Sequence, residues 1–276
     1  MKKKKNTVDT VDTMDTVNTA CTYVTYDSLM QAFDSNSTNL EWWKESNSGV
    51  KIVDNSDDYL KVHLITSTPE AKRVAFSAIR TCYSPGTAKN LFEKEFYKYE
   101  AKNGDDLRLI KEIVGHGHTS TLEHITFTFG IENLSRACLA QLTRHRIGWS
   151  YSVQSQRYVK QNSGSKHGEA GFVYPKVGYL DEVKKDKAGQ YFAEALIKAQ
   201  EYYDMLVELG VKAEDARAVL PMNSTCNLVV SCNLRAFMDF YGKRKKGTHA
   251  QEEISELAEK MKNRIIEAEP WIGELF

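Results

Sequence analysis

The central stretch of the chain reads Arg144-His145-Arg146-Ile147-Gly148-Trp149-Ser150-Tyr151-Ser152-Val153-Gln154-Ser155-Gln156-Arg157-Tyr158. It holds three arginines, three serines, two glutamines and a histidine, and no acidic residue. Residues 133–168 contain six lysines and arginines and no aspartate or glutamate, although the net charge of the whole chain is zero. Arginine forks together with serine hydroxyls are suited to binding phosphate. The stretch therefore predicts an anion-binding site more than a solvated basic loop.

The residues leading into this stretch predict a helix over 134–146, because leucines and a cysteine recur there at helical spacing. Within that helix Gln141, Arg144 and His145 stand at positions i, i+3 and i+4, which share one face. Three polar side chains near a helix end, followed by a serine-rich loop, favour a nucleotide-binding platform.

The flanking sequence predicts a mixture of strands and helices. Alternating apolar and polar residues predict strands at 59–66, 124–131 and 225–231. Apolar residues at helical spacing predict helices at 69–82, 104–114, 181–210, 213–220, 234–244 and 249–269. Because strands and helices do not alternate regularly, we expect the α+β class, as a single domain with a mixed or antiparallel sheet packed by several long helices.

The first part of the chain differs in composition from the rest. Residues 8–19 repeat a three-residue unit of the Val-Asp-Thr type, a period that fits neither a helix face nor a strand face. We predict that residues 1–56 are a low-complexity, mobile N-terminal extension, with one short helix around Tyr26 to Phe33, and that residues 57–276 form the catalytic domain. We assign the extension no function.

Composition limits the partners and the location. The balanced charge favours neither nucleic acid nor membrane as an obligatory partner. No apolar run approaches the roughly 20 residues that span a bilayer, and no apolar segment follows Lys2 to Lys5 as it does in a signal peptide. The five cysteines are odd in number and form no CxxC pair. Reduced thiols and a cytoplasmic location are the expectation.

Two alternative functions remain open from the residues alone. His116, His118, Glu123 and His124 form a metal-like cluster, although it is not HExxH and neighbouring residues of a strand point to opposite faces. A metal-dependent phosphohydrolase could use its three histidines. A non-enzymatic RNA-binding module could instead use the basic segments 144–157 and 243–246, and its binding would depend steeply on salt.

The central stretch also resembles the signature of the flavin-dependent thymidylate synthases. In that signature an Arg-His-Arg, here residues 144–146, is followed by Ser-x-Arg, here Ser155 to Arg157. Further matches occur in the same order at 117–124, 220–223 and 233–235, and the resemblance covers roughly residues 50–276.

The resemblance implies reductive methylation of dUMP to dTMP. Methylene-tetrahydrofolate would donate the carbon and leave as tetrahydrofolate. Reduced FAD would be the reductant, and NADPH would reduce the FAD again. The chain has no GxGxxG after a strand and hence no Rossmann flavin site. Flavin is therefore expected at subunit interfaces of a homotetramer, the assembly of the family.

The resemblance also implies roles for individual residues. Arg244 is the expected catalytic residue, which contacts and polarises the uracil ring; an arginine suits this because it stabilises negative charge without deprotonating. The expected flavin-binding residues are His118, Ser120, Arg144, His145, Arg146, Gln154, Asn233, Arg235, Asp239 and His249, with Asn233 and Arg235 coming from another chain. The expected dUMP-binding residues are Gln141, Arg144, Gln154, Ser155, Gln156, Arg157, Arg217 and Arg244, with Arg217 coming from a neighbouring subunit. No metal ligand is expected.

Some positions depart from the family pattern. Val153 stands where a Glu or Gln is common, and Gln154 is expected to replace that contact. Asp239 stands where some members have Asn, and the 146–155 and 244–249 intervals are one residue longer. The cysteines lie in apolar contexts, so none is expected to be a low-pKa nucleophile.

Overall fold

The computed structural model describes residues 51–53, 59–102, 104–162 and 171–276. All of them belong to one compact unit, 49–276. Of the predicted extension, only residues 51–53 are described, as a short strand; the rest, including the helix expected around Tyr26 to Phe33, lies outside the described residues. None of the helices in the described ranges combines the length and the apolar character needed to cross a membrane.

The elements follow in this order. The strands are β1 (Lys51–Val53), β2 (Lys61–Ser67), β3 (Thr126–Ser135), β4 (Trp149–Val153), β5 (Gly171–Val173) and β6 (Thr225–Asn233). The α-helices are α1 (Ala71–Tyr83), α2 (Ala88–Asn90), α3 (Phe96–Glu100), α4 (Asp105–Gly115), α5 (Arg136–Leu142), α6 (Glu182–Glu208), α7 (Ala213–Ala216), α8 (Leu234–Arg244) and α9 (Glu252–Ala268). A π-helical segment, Leu91–Glu95, joins α2 to α3, and 3₁₀ turns occupy Thr119–His124, Arg217–Val219 and Pro270–Leu275.

The central sheet is antiparallel and has the order β2-β3-β6-β4. One face of its two middle strands is buried by Phe127, Phe129, Ile131, Cys226, Leu228, Val230 and Cys232. These side chains form one core with the apolar faces of α1, α8 and α9. On the other face the hydroxyls of Thr128 and Ser231 lie 2.8 Å apart. A sheet with helices on one face and polar residues on the other agrees with the predicted α+β class; β1 and β5 form a separate parallel pair.

The helix predicted over 134–146 is wrong at both ends. β3 continues through Ser135, so α5 begins at Arg136, and it ends at Leu142. Consequently Gln141, Arg144 and His145 do not share a helix face. The region after Gly148, predicted as a loop, is the edge strand β4, because Trp149, Tyr151 and Val153 alternate with serines and turn toward the core.

The other predicted elements are confirmed with shifted ends. The helix at 234–244 has the predicted bounds, whereas α9 begins at Glu252 instead of His249. The helical segments between residues 88 and 100 were not predicted.

The start of α5 is held by a partly buried carboxylate. The Ser135 hydroxyl accepts a hydrogen bond from the backbone N–H of Cys138 at 3.0 Å, which caps the helix. Glu253 of α9 accepts from the Ser135 backbone N–H at 2.9 Å and from its hydroxyl at 2.5 Å. Burial raises the pKa of the Glu253 carboxyl, and the two bonds from Ser135 oppose that rise.

We expect Ser135→Ala to lower the free energy of unfolding by about 2–3 kcal/mol, because it removes a cap and a bond to a partly buried carboxylate. Thr87→Ala is the matched control: Thr87 caps the short α2 at an exposed site, accepting from Asn90 at 3.3 Å. Its loss should stay below about 1 kcal/mol. Denaturant unfolding of both variants makes the comparison, and equal losses would contradict the role of Glu253.

Candidate active site

The Arg-His-Arg segment lies in the turn that joins α5 to β4. The hydroxyl of Tyr151 in β4 lies 2.5 Å from the carbonyl oxygen of His145 and 3.0 Å from that of Leu142. Burial raises the pKa of the Tyr151 phenol, so the group stays a donor. The Leu142 carbonyl also accepts from the backbone N–H of His145 at 3.0 Å, and the tyrosine thereby connects β4 to the end of α5.

The far end of this turn packs against the start of α8. Gly148 has φ +75°, and its carbonyl oxygen accepts from the backbone N–H of Asn233 at 3.1 Å. A Cβ at Gly148 would lie 2.6 Å from Nδ2 of Asn233 and 2.8 Å from Cβ of Ala236. Asn233 also caps α8, accepting from the N–H of Ala236 at 2.8 Å. Only glycine combines this backbone conformation with so close an approach.

The same turn brings His145 to the other end of α8. Arg244, the last residue of that helix, donates from Nε to Nε2 of His145 at 3.3 Å. The edge of the imidazole meets the Phe240 ring at a centroid distance of 5.0 Å, and the Trp149 ring lies 6.3 Å away. Burial lowers the pKa of His145, and the Arg244 cation lowers it further. His145 is therefore a neutral acceptor at neutral pH.

The arginines of the turn differ from those elsewhere in the chain. Arg144 and Arg146 are exposed, and within the described ranges neither they nor Arg244 pairs with a carboxylate. Most other described arginines do: Arg73, Arg80, Arg108, Arg157, Arg235 and Arg264 each contact an acidic side chain. Arg144 and Arg146 flank His145 in the chain, and Arg244 contacts it. Because none of the three has an acidic partner among the described residues, they are suited to bind an anionic ligand.

A second group of predicted residues follows β4. Arg157 donates from Nε to Glu214 at 2.6 Å, and Nε of Arg217 donates to the backbone carbonyl of Glu214 at 3.0 Å. The Ser155 hydroxyl accepts from the backbone N–H of Arg157 at 3.2 Å. The two arginines expected to bind dUMP, 60 residues apart in the chain, are thus brought together around Glu214.

The segment between β4 and Ser155 is held through its backbone. Gln154 donates its N–H to the carbonyl of Asn227 at 2.9 Å and accepts from Nη2 of Arg136 at 3.2 Å. Gln156 is buried, and its Nε2 has no partner among the described residues. A buried amide donor without a partner is uncommon, and this one belongs to the residue that precedes Arg157 in the chain. Val153 packs against the core.

The remaining predicted residues lie around α8 and its neighbours. His118 and Ser120 are exposed at the 3₁₀ turn that packs on α8, and Glu123 of that turn pairs with Arg235. Asp239 pairs with Lys243 at 2.7 Å, His249 is exposed, and Gln141 donates to Gln251. The described residues contain no group of three His, Cys, Asp or Glu side chains able to hold a metal ion. His116, His118 and His124 are therefore not assembled with Glu123 into such a site.

Three of the five cysteines lie where a thiol is not activated. Cys138, Cys226 and Cys232 are buried, and burial raises the pKa of each thiol, that of Cys226 to about 11. Cys82 is exposed. Cys21 lies outside the described residues.

Several residues of the site were missed in the sequence. Trp149 and Tyr151 could have been found from the alternation that marks β4, and Phe240 from the apolar face of α8. Arg136 and Glu214 gave no sequence signal, because their partners lie 18 and 57 residues away.

Comparison with known proteins finds similar sequences and a similar fold over most of the chain. The family model described as thymidylate synthase complementing protein matches residues 63–271. A flavin-dependent thymidylate synthase from Geobacter sulfurreducens is 38% identical over 202 residues, covering 73% of this chain and 80% of the relative. One from Pyrococcus horikoshii is 39% identical over 207 residues, covering 75% and 79%. The structure of the UMP/dUMP methylase PolB from Streptomyces cacaoi has a similar fold, with TM-score 0.66 at 22% identity, covering 81% of this chain and 95% of that one.

We expect Gly148→Ala to destabilise the protein more than Gly210→Ala. Both glycines have positive φ, +75° and +88°, but a Cβ at Gly210 would meet nothing within 4 Å. Backbone strain alone should cost Gly210→Ala about 1–2 kcal/mol. The collision with Asn233 and Ala236 should add roughly 1–3 kcal/mol at Gly148. Equal unfolding free energies in denaturant would show that the turn can move away from α8.

Proposed function

The chain belongs to the thymidylate synthase complementing protein family, the flavin-dependent thymidylate synthases, and we propose that it converts dUMP to dTMP. In this reaction the uracil ring gains one carbon from methylene-tetrahydrofolate and two electrons that reduce that carbon to a methyl group, and tetrahydrofolate is released. Bound FAD, reduced by NADPH, would supply the two electrons and be left oxidised.

The observation that carries this proposal is the set of arginines without acidic partners beside a neutral His145. Both dUMP and FAD carry phosphate, and Arg144 and Arg146 are exposed and unpaired in the described part of the chain. We propose that these two arginines hold phosphate oxygens as charge-assisted forks. The donor set therefore fits the flavin nucleotide without a Rossmann fold, whose parallel strands are lacking in the described central sheet.

We assign the second arginine group to dUMP. Arg157 and Arg217 converge on Glu214, and Ser155 and Gln156 lie beside Arg157. A nucleotide phosphate bound here would replace Glu214 as the partner of Arg157. We propose that Arg217 reaches a neighbouring subunit's nucleotide and that Arg157, which it meets around Glu214, faces the same phosphate; Gln141 and Gln154 complete the substrate site.

Arg244 is the proposed catalytic residue. Its Nε is engaged by His145, so its two terminal nitrogens are left to face a ligand. Aimed at a uracil carbonyl, they would stabilise the negative charge that develops on the ring as it attacks the carbon donor. A thiol nucleophile is not needed, and the three buried cysteines have raised pKa values that oppose thiolate formation.

We propose that the active enzyme is a homotetramer with its sites between subunits. Ile147, between the arginines and Gly148, is 93% exposed, as an apolar residue covered by another copy would be in an isolated chain. His118, Ser120, Asn233, Arg235, Asp239 and His249 are the proposed remaining flavin contacts, with Asn233 and Arg235 given by another copy.

The test of this function is the absorption spectrum of the purified protein, with and without dUMP, together with an assay for dTMP. We expect oxidised-flavin bands that shift when dUMP is added, and dTMP formation that requires methylene-tetrahydrofolate and NADPH. A colourless protein that takes up no added FAD and forms no dTMP would exclude the proposal. Activity lost to a chelator would point instead to a metal-dependent reaction.

We expect Arg244→Ala to abolish turnover, by at least about 100-fold, while FAD stays bound, because the side chain acts on the ring that reacts. Arg108→Ala is the control; Arg108 is an exposed arginine on α4 that pairs with Asp105. It should leave turnover within about twofold, as expected of an exposed ion pair. Loss of flavin from Arg244→Ala would show that its role is cofactor binding.

A further inference from the structure

Arg244 ends α8, and its long side chain extends from the last turn of that helix. Among the described residues its one hydrogen bond runs from Nε to Nε2 of His145, at 3.3 Å. An anchor at Nε leaves the planar pair of terminal nitrogens free and oriented. We propose that His145 is the positioning residue of Arg244, holding the guanidinium in its working orientation through a neutral imidazole. This inference rests on the proposed function, since it concerns how the same catalytic arginine is aimed.

His145 is itself held in place from several directions. Its carbonyl oxygen lies 2.5 Å from the Tyr151 hydroxyl, and its ring packs edge-on against Phe240. The Trp149 ring lies 6.3 Å from the imidazole and stacks on the Tyr151 ring with an interplanar angle of 5°. The turn is closed by the contact of Gly148 with Asn233. A side chain fixed by surrounding packing is what an anchor for a flexible arginine requires.

The bond also requires a particular protonation state. An imidazole that accepts at Nε2 carries its proton on Nδ1 and is neutral. From α8, Arg244 and Lys243 oppose a positive charge on the ring and Asp239 favours it. The Tyr151 hydroxyl of β4 bonds the backbone carbonyl of His145, and Arg144 and Arg146 are the charged neighbours of His145 in its own turn. Burial is the largest cause of the lowered pKa. The bond should therefore persist below pH 6.5 and break at more acidic pH, when the ring becomes charged.

Two substitutions of His145, to glutamine and to asparagine, distinguish a role in positioning Arg244 from other roles of this histidine. In His145→Gln the amide oxygen can reach the place of Nε2, whereas in His145→Asn it is too short to do so. In the FAD-loaded enzyme we expect His145→Asn to lower kcat on the order of 10- to 100-fold, the effect of a misplaced catalytic group, with KM for dUMP within about threefold. His145→Gln should recover most of kcat. It should also lack the fall in kcat that the parent shows as the pH drops below His145's pKa, because glutamine does not titrate.

A second measurement is independent of turnover. The chain has seven histidines, so the imidazole of His145 can be identified in NMR spectra by its loss in His145→Gln. We expect it to titrate below pH 6.5 in the parent and closer to 6.5 in Arg244→Ala, because the neighbouring cation is removed.

Each outcome separates the two proposals. A parent protein that forms no dTMP overturns the proposed function. A parent that forms dTMP, with equal kcat in the Gln and Asn variants or a His145 pKa that ignores Arg244, overturns the positioning role alone. Loss of FAD from both variants would also overturn it and return His145 to direct cofactor binding. Unfolding temperatures of both variants near that of the parent exclude a general loss of structure.

Discussion

The site depends on one close contact, between Gly148 and the start of α8. The Asn233 N–H bonds the carbonyl of Gly148, and the space beside the glycine admits no Cβ. β4 begins directly after this contact and pairs with β6, and β6 continues without a break into α8. The contact between Gly148 and Asn233 therefore fixes the position of the Arg-His-Arg turn relative to both ends of α8. Because a sheet and a helix are rigid over this distance, His145 and Arg244 meet without any flexible connection between them.

Electrostatics divides the arginines into two kinds. Those at the periphery pair with nearby acids, often within a helical turn, and exposed pairs of that kind contribute little to stability. Within the described residues, Arg144, Arg146 and Arg244 pair with no acidic side chain, and the one polar side chain that contacts the Arg244 guanidinium is the neutral imidazole of His145. Leaving like charges together costs some stability, which is usual where a protein binds anions. Arg157 is intermediate, because Glu214 occupies it in the free protein.

The alternation of apolar residues predicted the central strands, and helical spacing predicted the helices that cover them. These signals succeed because burial of one face imposes a period of two or 3.6 residues on the sequence. This periodicity does not predict where an element ends when a tertiary contact decides the end. α5 ends at Leu142 although helical spacing continues, and its last carbonyl lies 3.0 Å from the Tyr151 hydroxyl of β4. The serines of β4 led to its prediction as a loop.

By itself the sequence determined the family, because the motifs, their order and the local excess of positive charge are all properties of the chain, and it predicted which residues form the site. It also determined the bounds of α8, whose periodicity and asparagine cap are local. Tertiary structure alone decided the pairings, such as Arg244 with His145 across 99 residues and Arg157 with Glu214 across 57. A hydrogen bond between distant residues leaves no period in either segment, and the protonation of His145 depends on burial that only the folded chain creates.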